Sequence, residues 1–344
     1  MTRLVVCFAL AAMLLPICAA VAQEGLEEQC WYDRMCISGY FRVRYMDTDS
    51  ASESDQFDLR DLYLTVQGDI DKRSRGIITL SRVGPGDPNI DLYNLFVDYK
   101  IDDQYRVQIG QVPTWFGLEA WEGSSVRLAF ERAKILEAGT GFFWAGAPDR
   151  GVWFRRMPSP DNPYEPMVIL GVSNGQFRAD DKNDDKNFDL HLKWQQPWGL
   201  CGLSFLDGTY VDAADTETDR SAWDAYVRVV PNSLAGPVGL QFEFVDGELL
   251  GADRDGWYGQ AIYDLGNTKD TAYLRYEEFN ADVNPANSAS FEGWTLGFSH
   301  RVYDSSRITV EYRDGDWERT GTVDGASGDA SEDWFGVQWQ YGFQ

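Results

Sequence analysis

The sequence predicts an all-β chain, a sixteen-stranded antiparallel transmembrane β-barrel with a long, partly helical third external loop folded into the lumen. Three observations lead there. The amino terminus has export features, the remainder repeats a period-two alternation of apolar and polar residues, and the connections between these segments alternate between short and long.

The chain opens with Thr2-Arg3, an apolar run from Leu4 to Leu15, and small residues at Ala20-Val21-Ala22. A basic start, an apolar core and an A-x-A site predict a signal peptide over residues 1–22, too short in its apolar part to span a bilayer. Residues 23–36 are then expected as a periplasmic amino-terminal segment. Processing leaves Cys30, Cys36 and Cys201. In an oxidising compartment a small-loop bridge between Cys30 and Cys36 is favoured over two free thiols. No neighbouring Cys or His set suggests a metal, and nothing points to a cofactor.

From residue 37 to residue 344 the barrel is expected. Phe188–Trp194, Trp223–Val229, Arg307–Arg313 and Phe335–Phe343 each set one apolar face against one polar face. About sixteen such segments are centred near Phe41, Tyr63, Ile78, Phe96, Val107, Val152, Ile169, Leu190, Leu203, Ala225, Phe242, Gln260, Leu274, Leu296, Val310 and Val337. That allots roughly 20 residues to each strand and its connection, as a membrane-spanning strand requires.

Connections after even-numbered strands are short, such as Asp69–Arg73, Asp102–Gln104 and Asp304–Ser306. Those after odd-numbered strands are long, such as Asp47–Gln56, Val112–Pro148, Gly175–Lys186, Asn280–Ser290 and Asp314–Asp333. Short turns at one rim and long loops at the other mark an outer-membrane barrel of a Gram-negative-type bacterium, embedded in lipid and lipopolysaccharide. Tyr45, Tyr99, Tyr105, Trp194, Trp223, Tyr263, Trp294, Tyr303 and Trp334 fall near strand ends, where interface girdles need amphipathic rings. The terminal Trp339-Gln340-Tyr341-Gly342-Phe343-Gln344 resembles the alternating aromatic end read by barrel-assembly machinery, with Phe343 penultimate rather than last.

Composition narrows the function. The net charge of −25 argues against nucleic acid, whose affinity comes from Lys and Arg on phosphates. Only His191 and His300 are present, and neither accompanies a serine in a catalytic motif, so no enzyme is expected.

The longest connection, residues 113–148, contains Ser124-Ser125 as a cap and Val126, Phe130 and Ala133 at helical spacing, which predicts a helix over Ser124–Ala138. A sixteen-stranded barrel leaves an aqueous channel unless something narrows it, and a loop of this length folded inward would do so. Gly110-Gln111-Val112-Pro113 followed by Phe116-Gly117-Leu118-Glu119, then Glu131-Arg132 and Asp149-Arg150-Gly151-Val152, resembles in order the motifs of the phosphate-selective porins O and P. The resemblance implies a homotrimeric channel for small anions or other small solutes, with an inward third loop and a basic pore. Its constriction would then hold Arg127, Glu131, Arg132, Lys134 and Glu119.

Strand parity supplies the expected pore lining: Arg42, Arg44, Arg106, Arg155, Lys193, Arg228 and Arg275, with Arg301, Arg307 and Arg313 on the same face, against Asp61, Asp98, Asp189, Asp224, Glu243, Glu277 and Glu311. The wall is thus nearly balanced, while most of the excess acid sits in outer loops and is screened from the pore within about 8–10 Å. Passive diffusion of small hydrophilic solutes follows, with a weak anion preference. A carbohydrate channel using Trp115, Trp121, Phe142, Phe143 and Trp144 as a stacking track is the alternative, as is a non-channel surface or structural barrel. Loop anchoring is the plainer role for those rings.

Overall fold

The computed structural model describes residues 34–48, 56–84, 89–137, 142, 147–211, 215–249, 251–266, 269–284, 286–323 and 326–343. The signal peptide, the segment before residue 34 and Cys30, and with it the Cys30–Cys36 bridge, lie outside these residues. So do Phe143 and Trp144.

Alternation becomes strand throughout. In chain order the strands are β1 (Met35–Thr48), β2 (Gln56–Asp69), β3 (Ser74–Val83), β4 (Asp91–Lys100), β5 (Tyr105–Pro113), β6 (Pro148–Arg156), β7 (Met167–Ser173) and β8 (Asn187–Gln196). They continue as β9 (Gly199–Val211), β10 (Glu217–Val229), β11 (Val238–Leu249), β12 (Ala252–Asp264), β13 (Asp270–Asn284), β14 (Asn287–Tyr303), β15 (Ser306–Thr320) and β16 (Trp334–Phe343). Each of the sixteen expected centres falls inside its strand. Neighbours pair antiparallel, and β16 pairs with β1 from Gly39↔Phe343 to Thr48↔Trp334, which closes the barrel and removes both free edges.

The inner and outer faces follow the parity of the sequence. Along β13, Tyr273, Arg275, Glu277, Phe279 and Ala281 are buried inside, while Leu274, Tyr276, Glu278 and Asn280 alternate outward. Outward residues change from apolar to acidic at one level: Tyr276 then Glu278, Trp294 then Glu292, Tyr312 then Asp314. Rings mark that boundary, with Tyr276 and Trp294 at 4.5 Å and Trp257 and Tyr276 at 5.5 Å between centroids. The acids just above cap them: Trp257 Nε1 donates to Glu278 at 3.1 Å, and Trp223 Nε1 donates to Asp246 at 3.0 Å. Amphipathic rings with a wet polar end belong at a membrane interface. Trp334 departs from the expected girdle, because β16 parity turns it inward, where it stacks on Phe130 at 5.6 Å.

The long-loop rim is less even than the connections suggest. The Asn280–Ser290 loop is mostly strand, with β13 and β14 meeting across Asn284↔Asn287, and β15 runs on to Thr320 before the short pairings of residues 322–331. Alternation persists past the membrane here with polar outward residues, so hydropathy alone ends these strands too soon.

Candidate functional site

The loop between β5 and β6 enters the barrel and lies against one side of it. Phe116, Ala120, Ala133, Ile135, Leu136 and Phe142 pack on Leu206, Ala222, Val245, Tyr258, Phe279, Phe291 and Trp317 from β9–β15 in a single buried cluster. Fully burying a Leu, Ile or Phe side chain stabilises by about 1.5–3 kcal/mol. The inner wall therefore has an apolar patch that the loop covers.

Within the cluster, carboxylates hold the loop backbone. Glu243 on β11 accepts the N–H groups of Leu118 at 2.6 Å and Glu119 at 3.2 Å. Glu277 on β13 accepts that of Lys134 at 2.6 Å, and Glu311 on β15 that of Phe130 at 3.0 Å. Glu119 itself accepts from Ala133 N at 2.7 Å and pairs with Arg275, whose Nε donates to Gln260 at 3.0 Å. This accounts for the missing helix: among the described residues of Ser124–Glu137 only Lys134–Leu136 form a 3₁₀ turn. The N–H groups of Phe130, Ala133 and Lys134, which an α-helix would direct to its own carbonyls, are taken by the wall carboxylates Glu311 and Glu277 and by Glu119 of the loop.

The loop motif also has a local reason. Gly117 adopts φ +69°, and a Cβ there would sit 2.7 Å from a Glu243 oxygen. Only glycine lets this turn close on the carboxylate.

The sequence-predicted residues distribute as follows. Glu119 and Arg275 form a buried pair, and Arg228 holds Glu122 through two hydrogen bonds of 2.5 and 2.6 Å. These flank only a small cavity of about 140 Å³. Arg155 lies over the Trp115 ring at 4.8 Å and Lys193 over Trp121 at 4.0 Å, while Arg106 pairs with Asp98 at 3.0 Å. Lys134 is buried beside Glu137 and, at 2.8 Å, Glu332. Arg127 folds back on the carbonyls of Ala129 and Phe130 at 3.1 and 2.8 Å. Arg42 pairs with Asp61, Arg44 with Asp58 at 3.0 Å and with Glu131, and Arg60 with Glu131 at 2.9 Å. Burial alone would raise the Glu131 carboxyl, but Arg60 and Arg44 outweigh it and hold the group well below the ordinary carboxylate range.

Of the proposed aromatic track, Trp115 and Trp121 lie against the wall, centroids 5.6 Å apart and each 6.4 Å from His191, and Phe142 is fully buried. His191 is sealed as well, bonded to Ser204 at 2.9 Å and Tyr226 at 3.2 Å.

Among the described residues, two larger open spaces border the other side, along β1–β4, where the inner wall carries short polar side chains such as Thr65, Thr79, Ser81 and Asn94. A chamber of about 1030 Å³ opens towards the short-turn rim, lined by Thr65, Thr79, Asn94, Trp121, Arg301, Asp304 and Arg307 among others. A second, of about 410 Å³, lies towards the long-loop rim, lined by Arg42, Asp61, Asp91, Glu131 and Arg178 among others. Tyr63, Tyr93, Ser124 and Arg132 line both. The two chambers meet at that ring, between β2, β4 and the loop. Sequence reasoning named Arg132 but missed the tyrosines. The signal available was that Tyr40 and Tyr63 share the polar parity of Arg42 and Asp61; Tyr93 lies beyond a register shift at Thr79/Leu80.

The sequence pattern of the family described as phosphate-selective porin O and P matches residues 37–196, from β1 to β8, including the loop. This segment belongs to that family. Nine-tenths of the chain superposes on channels and outer-membrane proteins of known structure: OmpF from Salmonella typhi in complex with daunomycin (10% identity, 90% of this chain and 97% of that chain, TM-score 0.68), a trimer form of the outer membrane protein OmpT from Vibrio cholerae (12%, 90% and 99%, 0.63), and an anion-selective porin from Comamonas acidovorans (12%, 90% and 99%, 0.64). At these identities the likeness speaks for the fold. No curated protein sequence matches. The chain is an outer-membrane porin barrel that crosses the membrane with strands; among the described residues no helix is long and apolar enough to do so.

Proposed function

We propose that this porin passes small hydrophilic solutes and ions by passive diffusion, with a weak preference for anions and no catalytic step. The observation that carries the proposal is the ring shared by the two chambers, whose one charged member is Arg132. Around it, the larger chamber has Arg132, Arg301 and Arg307 against Asp304. The smaller has Arg42, Arg60, Arg127, Arg132 and Arg178 against Asp61, Asp91, Glu131 and Glu137. A narrow opening sets ion preference through the charges nearest the ion. The overall charge of −25 resides elsewhere, largely in outer loops and in carboxylates that grip the loop.

In planar bilayers the purified protein should conduct, and its reversal potential in a KCl gradient should favour chloride slightly. Arg132→Ala should move that potential towards cations. A silent membrane, or a wild-type value clearly cation-selective, would refute the reading.

A homotrimer in lipid and lipopolysaccharide is part of the same proposal. The exposed large apolar residues from Leu59 to Ile109 are all aliphatic, whereas Phe205, Trp223, Phe242, Trp294, Phe298, Tyr312 and Trp339 recur across β9–β16. A face with fewer exposed rings than the rest of the barrel, Phe57 at its edge excepted, suits contact with another barrel. The detergent-solubilised protein should have the mass of three chains.

A further inference from the structure

The opening is lined by rings as well as by charge. Tyr40 and Tyr63 stack with centroids 4.9 Å apart and planes 20° apart, and Tyr93 meets Tyr63 edge-on at 5.4 Å. Tyr63 and Tyr93 line both chambers, and Tyr40 lines the larger one. The Tyr40 hydroxyl is held by Ser124 of the loop at 2.5 Å, which fixes the first ring of the run against the constriction. On the loop side Trp121 adds a further ring to the larger chamber, and Arg132 sits with the tyrosines at the meeting point.

A guanidinium serves any small anion, inorganic or organic. The ring faces of three tyrosines in contact, lining the place where the two chambers meet, offer no stacking partner to chloride or phosphate, which have no ring surface. They favour a solute with a flat ring: offset or edge-on aromatic pairs contribute about 0.5–1.5 kcal/mol beyond area burial. Resting on the channel reading above and sharpening it, we propose that this opening preferentially takes up small aromatic carboxylates, the ring passing along Tyr40, Tyr63 and Tyr93 while Arg132 holds the carboxylate. Inorganic anions and saturated ring acids of the same charge pass without that contact.

The test uses the purified protein in planar bilayers, with KCl conductance recorded first. If no current flows, it is the channel reading that fails. In a conducting membrane, benzoate, cyclohexanecarboxylate and phosphate are added and the concentration that halves the chloride current is measured for each. Benzoate should block at about two- to tenfold lower concentration than cyclohexanecarboxylate. The combined Tyr63→Phe/Tyr93→Phe variant should keep this ratio, and Tyr63→Leu/Tyr93→Leu, which retains bulk without rings, should bring it to one. Arg132→Gln should weaken block by both acids together. Chloride conductance in each variant reports a folded pore. Equal block by the two acids in the wild type, a ratio unchanged in the leucine variant, or strongest block by phosphate would each overturn the proposal.

Discussion

The two sides of the lumen are built from different materials. Along β9–β15 the inner wall presents Tyr258, Phe279, Phe291, Trp317 and a set of carboxylates, and the loop covers them until little space remains. Along β2–β4 the wall presents Thr65, Thr79, Ser81 and Asn94, and both chambers lie there. The difference teaches that the loop does not merely hang in the barrel: it is a second core layer on one wall, and the passage is the space left beside the other. Charge divides the same way. Acids on the loop-bearing wall act as acceptors for backbone N–H groups, so counting them as pore charges misjudges what an ion meets.

The sharpest way to break this asymmetry is Arg275→Ala. Arg275 is almost fully buried and is the cation bound to Glu119, which in turn holds Ala133. Removing one partner of a buried pair typically costs about 3–5 kcal/mol, because the other charge stays uncompensated. Denaturant unfolding in detergent should register that loss, and single-channel conductance should rise as the loop loosens. Normal stability and conductance would mean that the pair does not hold the loop.

A smaller effect is expected from Glu277→Ala and Glu311→Ala. Each removes the acceptor of one loop N–H, of Lys134 and of Phe130 respectively; Glu277→Ala also takes one carboxylate from Arg313, which keeps Glu332 at 3.5 Å, and Glu311→Ala takes the acceptor of the Tyr273 hydroxyl. A buried donor left without a partner costs about 1–3 kcal/mol. The variants should be individually mild and should together enlarge the open channel. Thr79→Ala on the opposite wall should leave conductance close to wild type; if it changes as much as the double variant, the two sides are not distinct.

How much of this could be read in advance differs between barrel and site. The strands were legible because period-two alternation constrains every residue of a closed sheet, and all sixteen centres were placed by it. The long third loop was legible from its length and its glycine motif. Its conformation was not: Val126, Phe130 and Ala133 have helical spacing, yet Phe130 N is spent on Glu311 and Ala133 N on Glu119, partners remote in sequence. The same holds for the basic residues. Parity sends Arg42, Arg228 and Arg275 inward, but whether a guanidinium meets solute or a carboxylate depends on how the loop packs. Arg228 with Glu122 is a contact between residues 106 positions apart, beyond any local pattern. The tyrosines at the opening lie on three strands, and only closure of the barrel brings them together.

The smallest predicted effect concerns the border between the two sides, where Glu131 joins the loop to Arg44 on β1 and Arg60 on β2. Its carboxyl is held well below its ordinary value in the folded protein, by Arg60 and Arg44 against the opposing effect of burial. A carboxylate with a lowered folded pKa contributes stability that is complete above the unfolded value, about 4.3, and is lost as pH falls through the folded one. The Glu131 contacts should therefore stay intact from about pH 8 to pH 5, with any change in channel current that arises at this border confined to more acid solution. Glu131→Gln should reproduce the acid state at neutral pH. It leaves two guanidiniums beside the smaller chamber with one less negative charge, so the KCl reversal potential should move modestly towards chloride. An unchanged potential would show that Glu131 is remote from the ion path, and the border between packed wall and passage would then lie further towards β1 than the chambers place it.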